Sequence, residues 1–441
     1  MKEGMASNSQ RGSDVHSGAA AETASQRLVI AFTVSGLLFL LLPGTFLGVW
    51  NLIGIAREQT LVSIAPAWIQ AHGQAQIFGW IGSFILGIGY YSLTKMKSQR
   101  GFPVVSGWLT WWAWTGGVLL RWLGGITGWH WRVLLPLGAL LQLIGFLIFW
   151  RAVRRHRPAV SEAESAAMPA WMLAVVYGTA MLFVVLAAQL VVLGRMALTA
   201  SAPAVPHVLD QQLVVLVVWG VLVPTIWGFN ARWLPIFAGF DQANGRELMV
   251  ACALVAAGIL ATFMPWLGVS ACLLLTAAVL SIDALRVWDA AVQPARIQGI
   301  SAGFPHFIRW AYVWLVISCL LDALAVVQDR SGGIWGASRH ALTVGFVAGM
   351  VFAMGPRILP AFCGMRVLWS SSLMTVSVVL LEVGCALRVA MEPLAYEHLW
   401  SPAWRLLPVS AFIELAAVSV FALNLFATLL QPPAHLSKQT A

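Results

Sequence analysis

Twelve stretches of about 20 mostly apolar residues run through this 441-residue chain. An α-helix needs roughly that length to cross the hydrocarbon core of a bilayer. The sequence predicts spans at residues 28–50, 67–91, 104–122, 130–150, 169–194, 207–230, 247–265, 268–288, 307–327, 339–359, 367–390 and 404–430. Only 10% of the residues are charged, against about a quarter in soluble proteins. We therefore predict an all-α polytopic membrane protein with the lipid bilayer as its main solvent.

The positive charges are distributed unevenly between the two ends of the predicted spans. An even number of spans puts both termini on one side, and 18 of the 26 Lys and Arg residues fall there. Because cytoplasmic loops are enriched in Lys and Arg, we predict cytoplasmic termini in a bacterial inner membrane. The net charge of +9 follows this pattern and does not indicate a nucleic-acid partner. Residues 1–26 and 431–441 are predicted to be cytoplasmic tails, the first disordered, around a transmembrane domain at 27–430.

Three histidines recur at nearly equal spacing, since His72, His207 and His340 are 135 and 133 residues apart. They open spans 2, 6 and 10, which all run inward, so we expect all three toward the periplasmic side. Each is the second span of a four-helix group, and such a period predicts pseudo-repeats at about 28–150, 169–288 and 307–430. Spans 6 and 10 also share an ending, R-x-L-P-x-F-x-G, at residues 232–239 and 357–364.

These histidines are the main candidates for metal or haem ligands, because imidazole suits both iron and copper. His72 and His340 are the stronger pair and His207 is the third. Each also has a structural alternative. His72 could bond a neighbouring carbonyl at a tight helix crossing, since several glycines follow it and small residues allow close approach. His207 could be a helix-start residue in water, with Asp210 as a cap or as a partner of its imidazole.

Two further groups of residues lie toward the same predicted side. His130 and His398 are 268 residues apart, twice the period, with Met264 midway, and they are candidates for a second set of soft metal ligands. Arg121 and Arg339 are placed to meet the propionates of an outer-side haem.

Two carboxylates fall inside predicted spans, where ionisable groups are costly and usually functional or paired. Glu382 and Glu414 are therefore candidates for a proton relay, or for structural ion pairs with Arg388 or Arg405. The five cysteines include no C-x-x-C pair, which argues against a zinc knuckle, a disulfide framework and covalent haem attachment.

Three segments resemble the NnrS family, polytopic membrane proteins of the nitric-oxide response described as containing haem and copper. Residues 340–345 and 354–357 are similar to its signature, residues 224–237 to its P-T-F-L-x-x-x-H-R-x-x-P-F-F element, and residues 71–79 to its H-x-H-E-x-x-F-G motif. The chain departs where that family has further histidines and a glutamate: it has Gln70, Gln74, Asn230 and Ala231. The resemblance therefore implies haem b more strongly than copper.

The layout also resembles subunit I of haem-copper oxidases, which has twelve spans in three arcs with histidines on the second helix of each. Its copper centre needs adjacent histidines on span 7, and residues 247–265 contain none. We therefore expect no oxygen-reducing centre of that kind.

The leading hypothesis is a membrane b-type haem protein that acts in nitric-oxide response or electron transfer. Its candidate ligand is a diatomic gas such as nitric oxide. The sequence does not identify an electron donor or a catalytic residue. The alternative is a 12-span secondary transporter of a small solute, whose site would lie at broken helices. Pro43 and Pro224 fall inside spans and could interrupt them. A third option is a factor that passes haem or metal onward.

Overall fold

A computed structural model describes residues 22–94, 102–156, 168–364 and 366–432. Within these ranges all regular structure is helical, with no strand. The long helices are α1 (Glu22–Glu58), α2 (66–94), α3 (Val104–Thr127), α4 (Trp131–Arg155), α5 (Ala170–Thr199), α6 (His207–Phe237), α7 (Gly245–Thr262), α8 (Leu267–Ala284), α9 (Phe304–Gln328), α10 (Gly333–Phe362), α11 (Ser371–Tyr396) and α12 (Ala403–Leu430).

The predicted all-α class is confirmed, and each predicted span coincides with one of these helices. In the described part of the chain ten helices are long and apolar enough to cross a membrane; α2 and α3 complete the twelve. The predicted boundary between the spans at 247–265 and 268–288 is a real break, since α7 ends at Thr262 and α8 begins at Leu267. The predicted N-terminal tail overlaps α1 at residues 22–26. Its other residues and 433–441 lie outside the described ranges.

The motif shared by residues 232–239 and 357–364 is a way of ending a helix. Gly239 and Gly364 have φ angles of 74° and 109°, a region that favours glycine because it lacks a Cβ. The Arg357 guanidinium lies 4.9 Å from the ring centroid of Phe237, so one copy of the motif packs on the other. This geometry agrees with an anchoring role for the motif, and the threefold repeat itself stays a prediction.

The bundle is built from neighbouring hairpins and closes on itself. The pairs α3–α4, α7–α8 and α11–α12 pack along their lengths, and α12 also packs against α1. Helix α10 is the most enclosed of the ten candidate spans, with 78% of its central window buried, against 61% for α1 and α6 and 28% for α5. The helices that carry His207 and His340 are therefore inner helices of the bundle.

Four of the helices contain π-helical segments, in which backbone hydrogen bonds join residues five apart instead of four. They lie at Leu40–Phe46 in α1, Ala75–Gly82 in α2, Val218–Leu222 in α6 and Ala341–Ala348 in α10. Such segments are frequent at functional sites. Pro43 lies in the first of them and Pro224 is the second residue after the third, yet both helices continue. The expectation that these prolines break α1 and α6 is therefore wrong.

The helix count and the Lys and Arg bias together predict where each loop lies. Alkaline phosphatase is active only outside the cytoplasm, so we expect activity from a fusion after Ala202, in the loop between α5 and α6. A fusion after Gln242, between α6 and α7, should be inactive, and green fluorescent protein there should fluoresce. The opposite pattern would reverse the predicted orientation of the histidines.

Candidate functional site

His72 lies in the first turns of α2 and is held against α1. Its Nδ1 atom is 2.8 Å from the carbonyl oxygen of Gly44. A Cβ at Gly48 would lie 2.6 Å from the ring atom Cε1, so glycine is needed there for the ring to fit. Because a carbonyl can only accept, Nδ1 must donate, and the neutral ring then carries its free lone pair on Nε2. This is the contact expected of the structural alternative for His72, and it also leaves the ring in a tautomer whose Nε2 atom could bind a metal.

His340 is held in the same way on α10. Its Nδ1 lies 2.9 Å from the Gly336 carbonyl oxygen, one turn earlier in the helix. The same nitrogen is 2.9 Å from Oε2 of Glu392 on α11. Both neighbours are acceptors, so Nδ1 again donates and Nε2 keeps the lone pair. The hydrogen bond of the ring goes to Gly336, and the Glu392 Oε2 atom lies close beside it without a hydrogen bond to another described residue. A carboxylate beside a histidine is a common neighbour of a metal-ligating imidazole.

Glu392 belongs to a buried ion pair that the sequence did not predict. The Arg388 Nε atom lies 3.3 Å from Glu392 Oε2, and their side chains are 11% and 5% exposed. Gly336 makes room for this pair, since a Cβ there would overlap the Glu392 carboxylate. The available signal was the spacing of four residues between an arginine and a glutamate in an apolar helix.

The carboxylates that the sequence did single out have other partners. Glu382 accepts a hydrogen bond from the indole Nε1 of Trp314, at 2.5 Å, and does not pair with Arg388. The Glu414 side chain packs against Gly384 of α11. Its Oε1 atom is buried without a hydrogen-bond partner among the described residues. It interacts electrostatically with Arg388 and His340.

The two best candidate ligands lie within electrostatic range of each other. A charge on His72 would interact with charges on His340 and Arg388. Helices α2, α10, α11 and α12 carry these two imidazoles, the arginine, Glu392 and Glu414. No three of the His, Cys, Asp and Glu side chains in the described ranges form a metal-binding group, so the geometry offers a pair of imidazoles and no complete metal site.

His207 is separate from this pair. It is the exposed first residue of α6. Asp210, one turn later, interacts electrostatically with His207, Arg339 and Arg121. The arginines predicted as propionate partners thus meet at the start of α6, while His207 matches its structural alternative.

The proposed second ligand set lies on exposed turns. His130 precedes α4 and His398 follows α11, both in the left-handed region with φ angles of 40° and 55°. The His130 ring contacts Trp129, with ring centroids 4.5 Å apart. Met264 is exposed between α7 and α8. These positions suit turn residues, and the ligand role of His130 and His398 stays a prediction.

Residues that replace histidines of the NnrS pattern have taken up hydrogen bonds of their own. Gln70 binds the backbone of Val205 twice, through Nε2 to its carbonyl oxygen at 2.8 Å and through Oε1 to its N–H at 2.9 Å. Asn230 donates to the Tyr312 hydroxyl at 3.0 Å in a buried contact between α6 and α9. By contrast, the buried amide of Gln74 has no hydrogen-bond partner among the described residues.

Comparison with solved structures supports the twelve-helix architecture. A dimeric heme-copper terminal oxidase, solved by cryo-electron microscopy, aligns with a TM-score of 0.59 and 14% sequence identity. The alignment covers 93% of this chain and 85% of the oxidase chain. At that identity the likeness shows a shared fold.

Sequence comparison identifies a family and no characterised relative. No curated protein matches the chain. A family model described as a domain of unknown function, DUF8744, matches residues 131–428, which extends from α4 through most of α12. The chain therefore belongs to the DUF8744 family.

Proposed function

We propose that this protein is a membrane haem protein in which His72 and His340 are the axial ligands of one haem b. The observation that carries the proposal is the matched orientation of the two imidazoles. Each donates from Nδ1 to a carbonyl oxygen and leaves Nε2 for iron. The oxidase-like fold supports it, since that fold also occurs in a heme-copper terminal oxidase.

The residues present fit a bis-histidine haem. Two neutral imidazoles in an apolar interior are a donor set that suits iron, and the Glu392 carboxylate behind His340 is a typical orienting partner. A haem with both axial positions filled would supply one-electron chemistry. The protein's own part is to hold both rings, exclude water and compensate charge through Arg388, Glu392 and Glu414.

The nitric-oxide response and copper are further parts of the proposal with less support. Nitric oxide rests on the resemblance of residues 224–237 and 340–357 to the NnrS family, which the family comparison does not name. Copper would have to use positions where this chain has Gln70, Gln74 and Asn230. The transporter alternative expected broken helices at Pro43 and Pro224, whereas α1 and α6 continue through both prolines.

The proposal predicts a haem spectrum that depends on two histidines. Protein purified in detergent after expression with ample haem should show a Soret band and a reduced-minus-oxidised difference spectrum. His72→Ala and His340→Ala should each abolish the low-spin spectrum, because each removes one axial ligand. The exposed His306 provides a matched control, and His306→Ala should leave the spectrum unchanged. A wild-type protein without a Soret band would contradict the proposal, and an unchanged spectrum in either ligand variant would contradict the assignment.

Glu392 should affect haem binding through His340. Loss of the partner behind a ligating histidine typically costs 10–100-fold in metal affinity, so we expect Glu392→Gln to weaken haem retention by about that factor. Haem transfer to apomyoglobin, followed by absorbance, measures the effect. Glu382→Gln is the matched control, because Glu382 contacts Trp314 and not His340.

Glu392→Gln also leaves Arg388 without its ion-pair partner, which typically destabilises by about 3–5 kcal/mol. The double variant Arg388→Met with Glu392→Gln removes both charges and should recover much of that stability. If Glu392 orients His340, haem retention stays weak in the double variant although the thermal unfolding temperature recovers. Recovery of both together would assign Glu392 a purely structural role.

A further inference from the structure

We propose that Arg121, Gln142 and Gln189 form a binding site for a small anion, an inorganic oxyanion or a carboxylate, between α3, α4 and α5. The site is separate from the His72–His340 pair and does not depend on it. The argument rests on how the guanidinium is held, on its charge and on the hydrogen-bonding atoms that surround it.

The Arg121 guanidinium is fixed in orientation by three neighbours. Its NH1 atom donates to Oε1 of Gln142 at 2.8 Å and to Oε1 of Gln189 at 2.7 Å. The Phe78 ring of α2 lies 5.7 Å from the guanidinium carbon. These two hydrogen bonds use both protons of NH1. The N–H groups of Nε and NH2 have no hydrogen-bond partner among the described residues.

The charge of Arg121 is not matched by an adjacent carboxylate. Within residues 22–94, 102–156, 168–364 and 366–432, no Asp or Glu oxygen lies within 4 Å of its guanidinium. Asp210 interacts with Arg121 electrostatically but also with Arg339 and His207. Ionisable residues inside a membrane bundle normally pair or line a substrate or ion pathway. An arginine held only by neutral amides can therefore accept an anion.

Gln142 adds an unpartnered N–H donor to this site. Gln142 is completely buried, and its Nε2 atom has no partner among the described residues. Its amide cannot be reversed, because Nε2 would then point its hydrogens at the donor NH1 of Arg121. The unsatisfied groups around Arg121 are thus all N–H donors beside a positive charge. Guanidinium groups pair bidentately with planar oxyanions and carboxylates.

The anion can come from two sources, a free oxyanion or a propionate of the haem proposed above. Nitrate is a suitable probe because it is planar and singly charged. We would titrate nitrate into purified protein in a sulfate buffer of constant ionic strength and follow the thermal unfolding temperature. A ligand that binds only the folded state raises that temperature in a saturable way. The titration is repeated on His72→Ala, which lacks haem if the proposed function is correct.

Gln142→Glu is the decisive variant because it keeps the shape of the side chain. The new carboxylate would pair with Arg121 internally and would replace an N–H donor by an acceptor. We expect this variant to unfold at the same or a higher temperature than the wild type without nitrate, and to lose the nitrate-dependent shift. Arg132→Gln is the matched control, since Arg132 is exposed and bonds only the Ala200 carbonyl. It should keep the shift.

The outcomes separate the sources and test the site. A nitrate shift in the wild type supports a site for free anions. A shift in His72→Ala alone supports the same site filled by a haem propionate in the wild type. Absence of a saturable shift in both proteins, or an undiminished shift in Gln142→Glu, would overturn the proposal. Because the titration does not require haem, a wild-type protein without a Soret band would contradict the proposed function and leave the anion site to be judged by nitrate.

Discussion

Inside a bilayer no water is available to satisfy the backbone, so each N–H and C=O group must find its partner in the protein. This constraint explains how the two candidate ligands are held. The Nδ1 atoms of His72 and His340 bond the carbonyl oxygens of Gly44 and Gly336. Both contacts need close approach, and glycine provides it at Gly48 beside His72 and at Gly336 beside Glu392. The tautomer that leaves Nε2 available is therefore a consequence of satisfying the backbone and the ring together.

The Arg388–Glu392 pair shows the same constraint with charged groups. Removing two ions from water costs several kcal/mol each, and a buried pair often stabilises a fold no better than apolar residues would. A contribution to stability therefore does not explain why the chain has this pair. Orientation of the His340 ring is a better explanation, because Glu392 Oε2 lies 3.3 Å from Arg388 Nε and 2.9 Å from His340 Nδ1. The Arg388 guanidinium thus places a positive charge beside the Glu392 carboxylate, and that carboxylate in turn lies against the His340 ring.

Much of the fold could be predicted from the sequence because hydropathy is a local signal. Twenty apolar residues in succession specify a helix without reference to the rest of the chain, and the break between α7 and α8 was found in this way. The placement of His72 and His340 near the starts of α2 and α10 was also predictable, since each follows from the boundary of an apolar segment. The partners of the side chains were not predictable. Arg121 meets Gln189 across 68 residues, and no local pattern specifies such a contact. The expected break at Pro43 does not occur, because a π-helical segment accommodates the proline, and the local sequence does not reveal that segment.

Three of the four departures from the NnrS pattern, Gln70, Gln74 and Asn230, bear on copper through their hydrogen bonds or the lack of them. The Gln70 amide makes two hydrogen bonds with the backbone of Val205, and these link α2 to the loop before α6. Asn230 is bound to Tyr312 in a buried contact between α6 and α9. A copper ion at either position would have to break a contact that joins two parts of the bundle. Gln74 alone has an uncommitted amide, and one neutral oxygen is a weak substitute for the imidazole and thiolate ligands that copper prefers. Gln70 and Asn230 therefore join parts of the bundle at positions where the NnrS pattern implies further ligands, while His72 and His340 keep Nε2 atoms that could bind the proposed haem.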